Sequence, residues 1–179
     1  MKTTIFLFAV LIFPLCFFCF CKGPIKTTPQ ETIITKIDME EMALRHLSDF
    51  NLIRERPKGS TGTEYVFIRE SDSVRVSMTV GLHPSANDAE DIALDFLHGI
   101  ALVMVGGPIQ GDSIGDKLWW YAPTSDLNNV RNIVFIRKNA LFIMSCSYRY
   151  TELPILAKAI DDDIVKGESY ITIENSISP

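Results

Sequence analysis

Three consecutive aromatic residues, Trp119, Trp120 and Tyr121, are the most distinctive side chains in the chain that could bind a ligand. Tyr148 and Tyr150 follow the next long apolar segment. Aromatic rings combine a large apolar surface with a polar edge, so exposed ones suit saccharides, peptides or partner proteins. We predict a ligand-binding surface made of Trp119, Tyr121, Tyr148 and Tyr150. Packing of the consecutive rings in the core is the alternative.

The alternation of a β-strand divides this aromatic stretch between two faces. Trp119 and Tyr121 share one face, and Trp120 lies on the other face together with Leu118. We therefore predict that Trp120 is the core residue and that Trp119 and Tyr121 face a groove or solvent.

Motifs for catalysis are missing from the sequence. There is no G-x-S-x-G elbow, no phosphate-binding loop, no H-E-x-x-H, and no C-x-x-C outside the first 21 residues. The rival hypothesis is a small hydrolase in which Asp112, Asp116 and either His83 or His98 converge only in the fold. Turn capping is the simpler role for the two aspartates, with calcium binding as an alternative.

Metal and cofactor sites are not indicated either. The three histidines, His46, His83 and His98, share no ligand spacing. His46 and His98 are predicted on helix surfaces. The acidic run Asp161–Asp163 is predicted to be a solvated face, with a basic partner or a cation as the alternative. We predict no cofactor.

Residues 1–21 form an apolar leader behind Lys2, and Ile5 to Cys21 carry no charge. A lipoprotein signal, an uncleaved membrane anchor and a cleaved signal peptide all fit such a segment. Cys21 and Cys19 are the candidates for lipidation. Residues 22–36 are predicted to be a polar tether. Each alternative places the domain outside the cytoplasmic membrane, tethered to the membrane in the cell envelope or secreted.

The charge argues against one class of partner, and the cysteine content argues against disulfides in the domain. The net charge is −5 and no block of Lys and Arg occurs, so nucleic-acid binding lacks its electrostatic basis. Cys146 is the only cysteine after the leader and has no disulfide partner there. It is predicted to be a buried small apolar residue. The fold must then be stable through its core alone.

An internal repeat organises the rest of the chain. The tetrapeptide VFIR occurs at Val66–Arg69 and again 68 positions later at Val134–Arg137. Around both copies the apolar pattern changes from a period of two to a helical period. We predict two strand-turn-strand-helix repeats within 51–99 and 118–167, with Asn87 and Thr151 as helix caps and Gly167 as a helix stop. One rotation should relate the segments 65–99 and 133–167.

The fold class follows from these elements. An amphipathic helix behind Asp38 precedes the repeats, and a short strand at Ile171–Ile173 follows them. We predict one α+β domain over residues 37–179, with an antiparallel sheet of about six or seven strands and two or three packed helices. The second hairpin is apolar on both sides, which predicts a central position, and the first is predicted nearer an edge or facing solvent.

The sequence therefore predicts a non-catalytic cell-envelope or secreted domain. Its expected ligand is a protein, a peptide or a saccharide, and its N-terminal segment or lipid contacts the membrane. A small envelope hydrolase and a structural envelope lipoprotein are the alternatives.

Overall fold

The structure is a computed structural model that describes residues 32–59, 62–100, 114–121, 131–147 and 151–175. These residues form eight strands and three helices in an α+β fold, as predicted. In chain order the elements are β1 (Thr32–Ile37), α1 (Met39–His46), β2 (Asn51–Lys58), β3 (Gly62–Arg69), β4 (Val74–Leu82), α2 (Ala86–Ile100), β5 (Lys117–Tyr121), β6 (Asn132–Arg137), β7 (Ala140–Cys146), α3 (Leu153–Lys166) and β8 (Ile171–Asn175).

Six of these strands form one antiparallel sheet in the order β2-β3-β4-β7-β6-β5. β1 and β8 pair separately as a two-stranded antiparallel ribbon. The predicted central position of the second hairpin is confirmed for β7, and β4 of the first hairpin is equally central. β2 and β5 are the two edges.

Both faces of the sheet are apolar where β6 and β7 lie, and each face has its own core. Phe135 and Phe142 stack with ring centroids 4.5 Å apart in the larger core, which also takes in α1, α3 and the ribbon. Val134 and Ile136 alternate with Phe135 and belong to the smaller core on the opposite face, under Ala89 of α2. The sheet is therefore covered by α1, α3 and the ribbon on one side and by α2 on the other.

The internal repeat holds for the order of the elements and for the sheet, and Ala89 and Ala157 both lie in helices, but the placement of the two helices differs. Each unit runs from an edge to the centre, β2-β3-β4 in one and β5-β6-β7 in the other, so the strand order is symmetric about the β4–β7 pair. A two-fold axis perpendicular to the sheet relates antiparallel neighbours and keeps equivalent side chains, and the helices that follow, on the same face. Because α2 and α3 lie on opposite faces of β6 and β7, the prediction of one rotation for the whole unit is wrong.

Two of the predicted helix ends are confirmed and two are corrected. The Asp38 carboxylate accepts hydrogen bonds from the second and third N–H groups of α1, and Gly167 ends α3 in the left-handed conformation at φ 69°. Ser85, not Asn87, caps α2, because the helix begins two residues earlier than predicted and the Asp88 N–H bonds to the Ser85 hydroxyl at 3.2 Å. Thr151 does not cap α3, which begins after Glu152 without a side-chain hydrogen bond.

The segment predicted as a tether, 22–36, ends inside the fold. β1 begins at Thr32, and Ile34 is fully buried in the larger core. Five residues of the predicted tether are therefore folded. The sequence did not predict this strand, because a six-residue strand with one buried side chain gives only a weak apolar pattern. The predicted leader, residues 1–21, lies outside the described residues. Within the described part of the chain, no helix is long and apolar enough to cross a membrane.

Candidate functional site

The predicted aromatic surface is only partly visible. Trp119 pairs with Val134 and packs against the smaller core, whereas Trp120 pairs with Ile133 and packs against the larger core. The predicted alternation is confirmed, but Trp119 is partly buried in a second core that the sequence did not reveal. Tyr121 ends β5, and Tyr148 and Tyr150 lie outside the described residues. The aromatic binding surface remains a prediction.

The acidic run on α3 is not the predicted solvated face. Asp161 is 1% exposed, and Arg137 donates to both of its oxygens, from Nε at 2.6 Å and from Nη2 at 2.8 Å. The remaining Nη1 donates to Asp116 at 2.6 Å, and the other oxygen of Asp116 accepts from the Lys138 N–H at 2.7 Å. Asp116, one of the acids that the hydrolase hypothesis needs, is thus engaged in holding β5 to the β6–β7 turn.

Asp163 is also buried, at 6% exposure, and joins α3 to α1. One of its oxygens lies 2.7 Å from His46 Nε2 and accepts from the Tyr170 hydroxyl at 2.8 Å. Burial alone would raise the pKa of the Asp163 carboxyl, but the hydrogen bonds from His46 and Tyr170 outweigh it and lower that pKa. His46 is therefore not the surface histidine that we predicted from its polar neighbours.

Asp162 lies between these two buried acids and bonds to Lys158, one turn earlier on α3. All three carboxylates of the run therefore have partners within the chain. In the part of the chain that the structure describes, no cluster of three or more His, Cys, Asp or Glu side chains could hold a metal ion. Asp112 lies outside the described residues.

A surface groove between α1 and the start of β2 was not predicted. Its volume is about 310 Å³, and eight residues line it: Glu40, Ala43, Leu44, Leu47, Ser48, Phe50, Asn51 and Leu52. α1 turns Met39 and Met42 into the larger core, followed by Leu47 just after the helix, which leaves Leu44 on the outer side, 76% exposed. The exposure of Leu44 could have been predicted from the sequence, because Leu44 falls outside the apolar stripe of the predicted helix.

β2, which continues from the groove, is an exposed edge of the sheet. All eight of its residues are exposed, and β3 is its neighbour on one side. The register shifts between Leu52 and Arg54, so Ile53 is an extra residue in a β-bulge and is 50% exposed. An edge strand leaves half of its backbone N–H and C=O groups without a strand partner.

The three cations of β2 lie on one face of the sheet, and its one acid, Glu55, lies on the other. Arg54, Arg56 and Lys58 pair with Val66, Glu64 and Gly62, at alternating positions, so the three cations form a row. Glu64 bonds to Arg56 at 2.5 Å and lies 3.7 Å from Lys58. The Arg56 guanidinium lowers the pKa of the Glu64 carboxyl despite its burial. One buried carboxylate thus faces three exposed cations, in a chain that is acidic as a whole.

The chain matches no known family model, no curated protein and no solved structure. The surface feature that bears on its function is the apolar groove that meets the exposed edge strand.

Proposed function

We propose that this protein is a non-catalytic binding domain that holds a partner chain against α1 and β2. The observation that carries the proposal is the groove of about 310 Å³ beside an edge strand whose eight residues are all exposed. The domain acts outside the cytoplasmic membrane, tethered in the cell envelope or secreted, and residues 1–21 deliver it there.

Apolar exposure at this end of the molecule supports a binding role. Leu44, Leu52 and Ile53 are all exposed large apolar residues, and they lie on two neighbouring elements. Leaving such side chains in water forgoes the free energy of burial, about 25 cal/mol for each Å² of apolar surface. A group of exposed apolar side chains with polar residues around it is typical of a surface that another molecule covers.

The backbone of β2 favours a polypeptide over a saccharide. The unpaired N–H and C=O groups of an edge strand can form a ladder with an extended peptide, and neighbouring pockets then select its side chains. The groove lies at the N-terminal end of β2, where Asn51 and Leu52 line it. A peptide added along β2 would therefore reach the groove with one of its end residues.

The buried ionisable residues support a stabilising role over a catalytic one. Arg137 with Asp161, and His46 with Asp163, are bonded to each other and join separate elements. His83 is buried between β4 and α2, and burial lowers the pKa of its imidazole, which favours the neutral form. Charges committed to internal pairs are not available to a substrate.

A displayed library of random peptides tests the proposal. The full-length chain, immobilised in a mild detergent, should enrich peptides that bind the Leu44→Gln variant about tenfold more weakly, as expected when an apolar contact is lost. The matched control is Ile155→Gln, which removes an equally exposed apolar residue from α3. Selected peptides that lose affinity for Trp119→Ala and keep it for Leu44→Gln would contradict the proposal and identify the aromatic edge as the site.

A further inference from the structure

The charge and geometry of β2 point to the class of partner, and we infer that it is an extended acidic peptide that pairs with β2 and places an apolar residue in the groove. This inference rests on the proposed function and deepens it. It follows from the row of cations, the available strand edge and the position of the groove.

The row of cations sets the spacing of acidic residues in the partner. Arg54, Arg56 and Lys58 occupy alternate positions on one face of the sheet. A peptide strand beside them presents its residues i, i+2 and i+4 to the same face. Opposite charges that face each other across two strands are stabilising. Asp or Glu at alternating positions therefore complements this edge.

Glu64 already compensates part of the row, which leaves Arg54 as the cation most available to a partner. Arg56 bonds to Glu64 at 2.5 Å and Lys58 lies 3.7 Å from it. Among the described residues, Arg54 makes no ion pair, and it is exposed. It also lies beside the bulge, close to where the strand leaves the groove.

The apolar anchor follows from the other face of the strand. Leu52 pairs with Phe67 of the larger core, so it points to the side of the sheet on which α1 packs. The groove between α1 and β2 opens on that side. A peptide whose acidic residues meet the cations turns its intervening residues toward this side. An apolar residue at the end next to Leu52 therefore fits the groove.

The same charges disfavour a second copy of this chain as the occupant in the symmetric register centred on Glu55. Antiparallel pairing of two β2 strands about Glu55 would set Arg54 opposite Arg56 and Glu55 opposite its own copy. Like charges in directly opposed positions destabilise a strand pair. The edge is therefore protected against self-association in this register and open to an acidic partner.

Defined peptides test the inference on the full-length chain in detergent. The probe is a fluorescein-labelled peptide, Asp-Val-Asp-Val-Asp-Leu, and the control probe has Lys in place of each Asp. We expect fluorescence anisotropy to show binding of the acidic probe only. Arg54→Glu should weaken binding about fivefold or more, as the loss of an exposed ion pair and a new repulsion imply. Lys166→Glu on α3 changes the net charge equally and should leave the affinity unchanged.

A second arm tests strand pairing itself. N-methylation of alternate peptide amides removes donors from one edge of the probe, so one of the two methylation patterns should abolish binding and the other should not. Equal binding of both patterns and of the unmodified probe would overturn the inference. So would equal affinities of wild type and Arg54→Glu for the acidic probe.

The outcome also separates this inference from the proposed function. If library peptides require Leu44 but show no preference for acidic residues, the binding domain stands and the acidic partner is wrong. Anionic lipid is the competing occupant of a basic and apolar surface. Reconstituted vesicles test this occupant by hydrogen exchange of the β2 amides. If anionic lipid protects these amides, neutral lipid does not, and the acidic probe fails to bind, the partner is a membrane surface. The inference then fails.

Discussion

Arg69 and Arg137, the last residues of the two VFIR copies, each hold two carboxylates with the same three nitrogens. Arg69 donates from Nε and Nη2 to Asp72 and from Nη1 to Asp49. Arg137 donates from Nε and Nη2 to Asp161 and from Nη1 to Asp116. The repeated tetrapeptide thus ends in a repeated structural role. Asp49 and Asp116 each lie just before the first strand of their unit, whereas Asp72 and Asp161 come from unrelated positions.

The two arginines should differ in their contribution to stability. Arg137→Ala leaves Asp161 buried without its partner, which should lower the free energy of unfolding by about 3–5 kcal/mol. Arg69→Ala removes bonds to two partly exposed acids and should cost about 1 kcal/mol or less. Urea unfolding of both variants measures the difference. Equal losses would show that burial of Asp161 does not set the strength of the Arg137 contact.

Asn139 should control the attachment of the β1–β8 ribbon. Its side-chain oxygen accepts from the Ile34 N–H at 2.6 Å, and its amide donates to the Ile34 and His83 carbonyls at 2.9 and 2.7 Å. Asn139→Ala leaves these buried groups unsatisfied and should cost on the order of 2–3 kcal/mol.

Hydrogen exchange locates the effect of Asn139→Ala. The Ile34 amide should exchange faster, and the amides of β4 and β7 should change least. Asn87→Ala, at an exposed position on α2, is the matched control and should leave β1 unchanged. Unchanged exchange at Ile34 in Asn139→Ala would mean that the ribbon is held by its apolar side chains alone.

Asp163 should contribute to the acid sensitivity of the fold. Its folded pKa is lowered, so its stabilising contribution is present above the ordinary carboxyl pKa of about 3.9 and is lost as pH falls through the folded value. Asp163→Asn should be less stable at pH 7 and lose less further stability on acidification. Asp162→Asn is the control, since Asp162 is about half-exposed. Parallel stability–pH curves for wild type and Asp163→Asn would contradict this assignment.

Export can be tested without the domain. Residues 1–28 fused to a reporter should carry it across the cytoplasmic membrane, and a labelled fatty acid should mark the product if Cys21 or Cys19 is acylated. Cys19→Ser with Cys21→Ser should then remove the label. In the full-length chain, Cys146→Ser should keep it. A reporter that stays in the cytoplasm would contradict the proposed location, and a label that survives the double substitution would exclude both acceptors.

The sequence predicted the sheet and its hairpins because the alternation of apolar and polar residues along a strand is a local property. The apolar run Val134–Ile136 also contained the evidence for two covered faces, but not the identity of the helix on each. Burial of the acidic run could not be predicted, since Asp161 lies 24 residues from Arg137 and meets it only through tertiary packing.

The candidate site was missed for a similar reason. Leu44 and the polar pattern of β2 are visible in the sequence, but the groove exists only because α1 packs beside the edge of the sheet. The predicted site, the aromatic stretch, rested on residue type alone, and large rings suit a core as well as a binding surface. Trp119 and Trp120 prove to contact the cores on the two faces of β5.

Hydrogen exchange with a bound peptide is the most direct test of the binding role. The full-length chain is saturated with the tightest peptide from the library selection, and amide exchange is followed by mass spectrometry. We expect slower exchange in β2 and α1, because a strand added to the edge satisfies backbone groups that are open in the free chain. Protection confined to β5 and its neighbours, with β2 unchanged, would contradict the account.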